Sequence, residues 1–194
     1  MAEILISISF KLCKDALEQV NGLRKALLDS LEMKVDNLHN ELELKVCDFF
    51  LQDHMVDLFK EELLKVFSHD SSQYVYFDDY AFFESTGKLA FIPTSQSRAY
   101  LLEKIRKINS ILSRLKVDMN RYDLYLFLEE KFSVDNISKI RSMAELKVVD
   151  FEFFCESIFL KVNQLEFPEN YETFEIKFGN KRLPGSANEQ LKLF

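Results

Sequence analysis

The sequence predicts an α+β fold, with one or two antiparallel sheets packed by three to four amphipathic helices. Three observations carry this. Apolar residues at every second position, as in Ile4, Ile6, Ile8 and Phe10, read as strands. Apolar residues at helical spacing, as in Leu101, Ile105, Ile108 and Leu112, read as helices. The 47% hydrophobic and 29% charged composition, with 19 Phe and 7 Tyr, is that of a chain that folds around a core. The 194 residues suit one domain, 1–194, or two lobes dividing near residue 97.

In order, the first strand is followed by an amphipathic helix over 12–31, on the spacing of Ala16, Val20, Leu23, Leu27 and Leu31. The stretch 31–48 alternates at Leu31, Met33 and Val35 and again at Leu42, Leu44 and Val46. We read it as a short hairpin, although its Glu, Leu and Lys content suits a helix as well. From Phe49 to Phe67 the period becomes helical. Strands follow at Tyr74 to Phe77, Tyr80 to Phe83 and Lys88 to Ile92, with a turn at Ser85-Thr86-Gly87-Lys88 whose glycine can take a positive φ. Ser95 or Ser97 caps the next helix, a second helical piece covers 121–132, and Ser133 begins a third. Strands return at Leu146 to Phe154, Ile158 to Val162 and Tyr171 to Phe178, and 183–194 reads as a loose tail. Glu43-Leu44-Lys45-Val46-Cys47-Asp48-Phe49 is echoed by Glu145-Leu146-Lys147-Val148-Val149-Asp150-Phe151. Heptamers of common residues recur by chance, which is the reading adopted; a true duplication would divide the chain near residue 97.

Three widely spaced cysteines with apolar neighbours, Cys13, Cys47 and Cys155, read as reduced thiols rather than a disulfide framework. No signal peptide pattern and no membrane-length apolar run is found, so the cytoplasm is the expected compartment. The net charge of −7 argues against broad binding to nucleic acid or anionic membrane. The charge is uneven: residues 1–97 carry 9 Lys/Arg against 17 Asp/Glu, whereas 98–141 carry 10 against 6.

No motif nominates a cofactor, and none is expected. His39, His54, His69 and Cys47 lack the short ligand spacing of a zinc site, so no metal ligand is assigned. Ser85-Thr86-Gly87-Lys88 lacks the leading glycine and following helix of a phosphate loop. Two functional readings remain. The first is a non-enzymatic protein-binding accessory, inhibitor or immunity-type factor. In it Tyr74, Tyr76, Asp78, Asp79 and Tyr80 form an acidic, aromatic surface for a protein partner with a basic surface. The alternative is a divalent-metal-dependent nuclease or nucleic-acid-binding protein. It would use the Glu175/Lys177 strand, with Asp150 as second carboxylate, and a basic helix presenting Lys104, Lys107 and Arg114 opposite the Ile/Leu stripe.

Overall fold

The alternation from Ile4 to Phe10 forms strand β1 (Glu3–Lys11) in the computed structural model, which describes residues 3–33, 42–128, 131–142, 149–164 and 171–179. Helix α1 (Lys14–Ser30) follows, burying Ala16, Val20, Leu27 and Leu28, with Arg24 on the same stripe. Then come β2 (Glu43–Gln52), a 3-10 turn (Asp53–Met55), α2 (Val56–Phe67), β3 (Gln73–Phe83), β4 (Lys88–Pro93) and α3 (Ser95–Arg114). The chain continues through β5 (Asn120–Arg121), β6 (Leu126–Phe127), α4 (Val134–Ser142), β7 (Phe151–Cys155), β8 (Ser157–Gln164) and β9 (Tyr171–Lys177).

The strands form two antiparallel sheets, ordered β5-β2-β1-β8-β9 and β6-β4-β3-β7. The α+β expectation is therefore met, with four α-helices among the described residues. The buried side chains of both sheets and of α1 to α3 form one hydrophobic cluster, including Ile6, Phe10, Leu27, Phe59, Phe77, Phe91 and Ile108. Asp70 is buried on the turn after α2, and α3 lies against it through Lys104. Tyr100, also on α3, donates its hydroxyl to the carbonyl of Cys155 at the end of β7.

Several local expectations are corrected. Leu31 ends α1 rather than starting a strand, and 34–41 lie outside the described residues. Phe49 belongs to β2, not to a helix. Leu44, Cys47, Phe49 and Leu51 pair with Phe10, Ile8, Ile6 and Ile4, and the bulge at Val46 keeps all four on the buried side. The stretch 121–132 is no helix over its described part. Leu124, Leu126 and Leu128 are buried with a period of two, and Leu126 pairs with Phe91. Thr94 caps α3, accepting from the Ser97 amide at 3.2 Å, while Ser97 Oγ accepts from the Tyr76 amide at 2.9 Å. The described part of the strand expected over Leu146 to Phe154 begins at Phe151, and 143–148 lie outside the described residues.

The sequence echo falls on one strand of each sheet. Cys47, Asp48 and Phe49 lie in β2, Val149, Asp150 and Phe151 lead into β7, and both phenylalanines are buried. Tail residues 180–194 lie outside the described residues.

Candidate functional site

Cross-strand partners share a face, so the registers define the side of the five-stranded sheet opposite its core. On β1 that side carries Ser7, Ser9 and Lys11. Their partners on β2 are Asp48, Lys45 and Glu43, and on β8 Lys161 and Phe159 face Ser7 and Ser9. Apart from Leu5, Phe50 and Phe159, the described residues on this side are polar or charged. Lys161 Nζ lies 2.9 Å from Glu43 Oε1, and Lys11 Nζ lies 3.9 Å from the same oxygen. Lys161 and Glu43 flank β1 from opposite sides, one beside Ser7 and the other beside Lys11. Their ion pair therefore crosses β1 diagonally above Ser9. That crossing accounts for the burial of Ser9, only 3% exposed although its side chain points away from the core. Among the described residues Ser9 Oγ has no hydrogen-bond partner, a cost that a buried hydroxyl rarely bears without a ligand or water to meet it.

Lys11 and Lys161 both bear on Glu43, and Lys45 beside Ser9 is exposed. Next along the face, the Tyr122 hydroxyl donates a short hydrogen bond to Asp48. That bond, with burial and the nearby charge of Asp48, pushes the Tyr122 hydroxyl up to about 12, so it stays a donor at neutral pH. Three kinds of group therefore converge: ammonium donors, an unmet hydroxyl and a carboxylate. Such a set can hold a phosphate through its oxygens, with Glu43 placed to accept a proton beside it.

The residues singled out from sequence are distributed differently. Tyr74 and Tyr76 lie on the outer, solvent side of the four-stranded sheet, together with Asp79, while Asp78 is the bulge residue between Phe77 and Asp79. Tyr80 is on the other side. The bulge shifts parity, so Tyr80 shares a face with its partner Phe91 and packs against the core. The basic helix does not present a row of cations. Lys104 lies three residues after Leu101 and four before Ile108, which places it in the apolar stripe, and it is 1% exposed. Its Nζ is 2.5 Å from Asp70 Oδ1, and Lys107 Nζ is 2.9 Å from Asp70 Oδ2. Arg114 pairs with Glu62 at 3.1 Å. These three cations of α3 thus dock onto two carboxylates of the acidic first half.

Glu175 and Lys177 are exposed on the edge strand β9, on the same side as Ser9, whereas Asp150 precedes β7 in the other sheet. His54 and His69 are exposed, Cys47 is buried, and His39 lies outside the described residues. Among the described residues no three His, Cys, Asp or Glu side chains gather closely enough to hold a metal ion.

No family model and no curated protein matches the sequence. Solved structures do. The apo structure of E. coli LigT matches with a TM-score of 0.57 at 10% identity, covering 91% of this chain and 96% of that one. LigT complexed with ATP matches with a TM-score of 0.56 at 11% identity, over 90% and 96% of the two chains. LigT complexed with phosphate matches with a TM-score of 0.52 at 12% identity, over 91% and 96%.

The chain has the fold of LigT. The likeness spans nearly the whole length of both chains, so it includes both sheets. It corrects the reading of the chain as a non-enzymatic accessory, inhibitor or immunity-type factor: the LigT structures that share its fold include complexes with ATP and with phosphate. No helix among the described residues is long and apolar enough to cross a membrane.

The polar patch was not singled out from sequence. Its signal was present as Ser7, Ser9 and Lys11 interrupting a strand of isoleucines. Glu43 and Lys45 stand within the heptamer echoed at 145–151, whose recurrence carries no functional signal. Nothing local marks Lys161 as the residue that crosses to Glu43.

Proposed function

We propose that this chain binds a phosphate-bearing nucleotide ligand, free or at the end of a nucleic-acid strand, on the polar patch of the five-stranded sheet. The observation that carries the reading is the buried, unpartnered Ser9 hydroxyl beneath the Lys161–Glu43 pair, flanked by Lys11 and Lys45. The LigT fold supports it, since structures of that fold hold ATP and phosphate. Lys11, Lys161 and Ser9 supply donors to phosphoryl oxygens, and Lys45 adds charge at the rim. Glu43 is the proton acceptor for chemistry at the bound phosphoester. The Glu-x-Lys pattern thus acts at Glu43 and Lys45, and the basic surface comes from three strands rather than from α3.

Fluorescence anisotropy with a labelled single-stranded oligonucleotide bearing a terminal phosphate tests this between 50 and 200 mM salt. Affinity is expected to fall with salt, with a slope on a log–log plot reduced by about 0.7 for each lysine removed in Lys161→Ala or Lys45→Ala. Ser9→Ala is expected to weaken binding without changing that slope. Binding that is absent at 50 mM salt, or indifferent to all three substitutions, overturns the proposal.

A further inference from the structure

The outer side of the four-stranded sheet carries large rings that the fold leaves uncovered. Tyr74, Tyr76 and Phe154 are 47%, 44% and 41% exposed. They form one contiguous surface: the ring centroids of Tyr74 and Phe154 lie 5.0 Å apart, and those of Tyr74 and Tyr76 lie 6.2 Å apart. The rings are held in place. Tyr74 and Phe154 are direct cross-strand partners with their rings in contact, and Tyr76 stands opposite Glu152 in the same ladder. A side chain anchored in this way loses little further freedom when something stacks on it.

Neighbouring charge decides what fits. Glu152 and Asp79 stand on the same side as the rings, which keeps phosphates away but offers acceptors to exocyclic amino groups of bases. At the other end of β3, about 20 Å along the strand, Phe83 and Phe127 lie with centroids 5.3 Å apart, and Lys88 sits over the Phe127 ring. The sheet therefore offers aromatic faces with acceptors at one end and a cation at the other.

We infer that this face is a stacking platform for unpaired nucleobases, with Tyr74, Tyr76 and Phe154 as its centre. The inference rests on the nucleotide reading above and extends it: lysines of one sheet take phosphate, and rings of the other take bases. Every base has a π-face, so the platform needs single-stranded nucleic acid and tolerates sequence.

The test compares a labelled ten-nucleotide oligoadenylate with an abasic phosphodiester chain of equal length, against wild type, Tyr74→Leu, Tyr74→Phe and Lys161→Ala. All substituted positions are at least partly exposed, and circular dichroism melting confirms that each variant is folded. Wild type is expected to prefer the oligoadenylate. Tyr74→Leu is expected to lose about 5- to 100-fold for that ligand alone, Tyr74→Phe to retain its affinity, and Lys161→Ala to weaken both ligands. Equal binding of the two ligands, or an equal loss for both in Tyr74→Leu, overturns the platform while leaving the phosphate reading in place. No binding of either ligand at low salt overturns both.

Discussion

Lys104 Nζ sits 2.5 Å from Asp70 Oδ1, with the two side chains 1% and 5% exposed. Lys107 reaches the other carboxylate oxygen, and Lys104 also donates to the Ser71 carbonyl at 3.2 Å. This cluster ties α3 to the turn after α2. Removing one partner strands a charge where water cannot reach it. Asp70→Ala is expected to lower stability by about 3–5 kcal/mol, read by urea denaturation. A loss below about 1 kcal/mol would mean that Lys104 finds another partner or water.

The same carboxyl sets a pH dependence. Burial would raise the Asp70 pKa, but hydrogen bonds and charge from Lys104 and Lys107 outweigh it and hold the carboxyl below the usual carboxylate range. A depressed folded value means that the contribution is fully present above the unfolded value, about 4, and is lost as pH falls through the folded value. Melting temperature should therefore drop steeply below about pH 4, and Asp70→Asn should flatten that limb. Parallel acid limbs in the two proteins would assign the loss to other groups.

The three thiols should differ sharply in reactivity. Cys13 is exposed, whereas Cys47 and Cys155 are buried. Burial pushes the Cys47 thiol up to about 12, with the charge of Asp48 adding to it. Burial does the same for Cys155, also to about 12, against the opposing influence of the Tyr100 hydroxyl and Lys104. Since the thiolate is the reactive form, one thiol should label rapidly in the native protein and three after unfolding. Rapid labelling of two or three under native conditions would contradict the placement of β2 or β7.

At the β3–β4 turn, Gly87 has φ +68°, and a Cβ there would stand 2.8 Å from the carbonyl oxygen of Phe132. The Gly87 carbonyl also accepts from the Phe132 amide at 2.7 Å, so the contact cannot relax without breaking that bond. Gly87→Ala should cost at least about 1–2 kcal/mol from the left-handed backbone alone, and more from the clash. An unchanged thermal melt would show that the Phe132 segment moves freely.

Regular period-two runs were legible from sequence because burial of one side of a strand leaves its mark on every second residue. β1 is read this way, as α1 and α3 are by their apolar stripes, whereas β4 buries Leu89, Ala90 and Phe91 in succession and is marked by its aromatic and β-branched content beside the Gly87 turn. Bulges break that reading. At Val46 an extra residue hid the continuation of β2 into Phe49 and Leu51, and at Asp78 another turned Tyr80 inward while Tyr74 and Tyr76 stayed outside.

The amino-acid sequence by itself determined the α+β class, the hairpin at Gly87 and the separation of an acidic first half from a basic middle. Each follows from the local order of residues. Only the tertiary structure decided that Lys104, Lys107 and Arg114 are paired with Asp70 and Glu62, and that Ser9, Glu43 and Lys161 meet. Ser9 and Lys161 stand 152 positions apart in the chain and become neighbours through the pairing of β1 with β8. Strand order is set by how distant segments share one core, and no periodicity within a single segment records which strand will lie beside it.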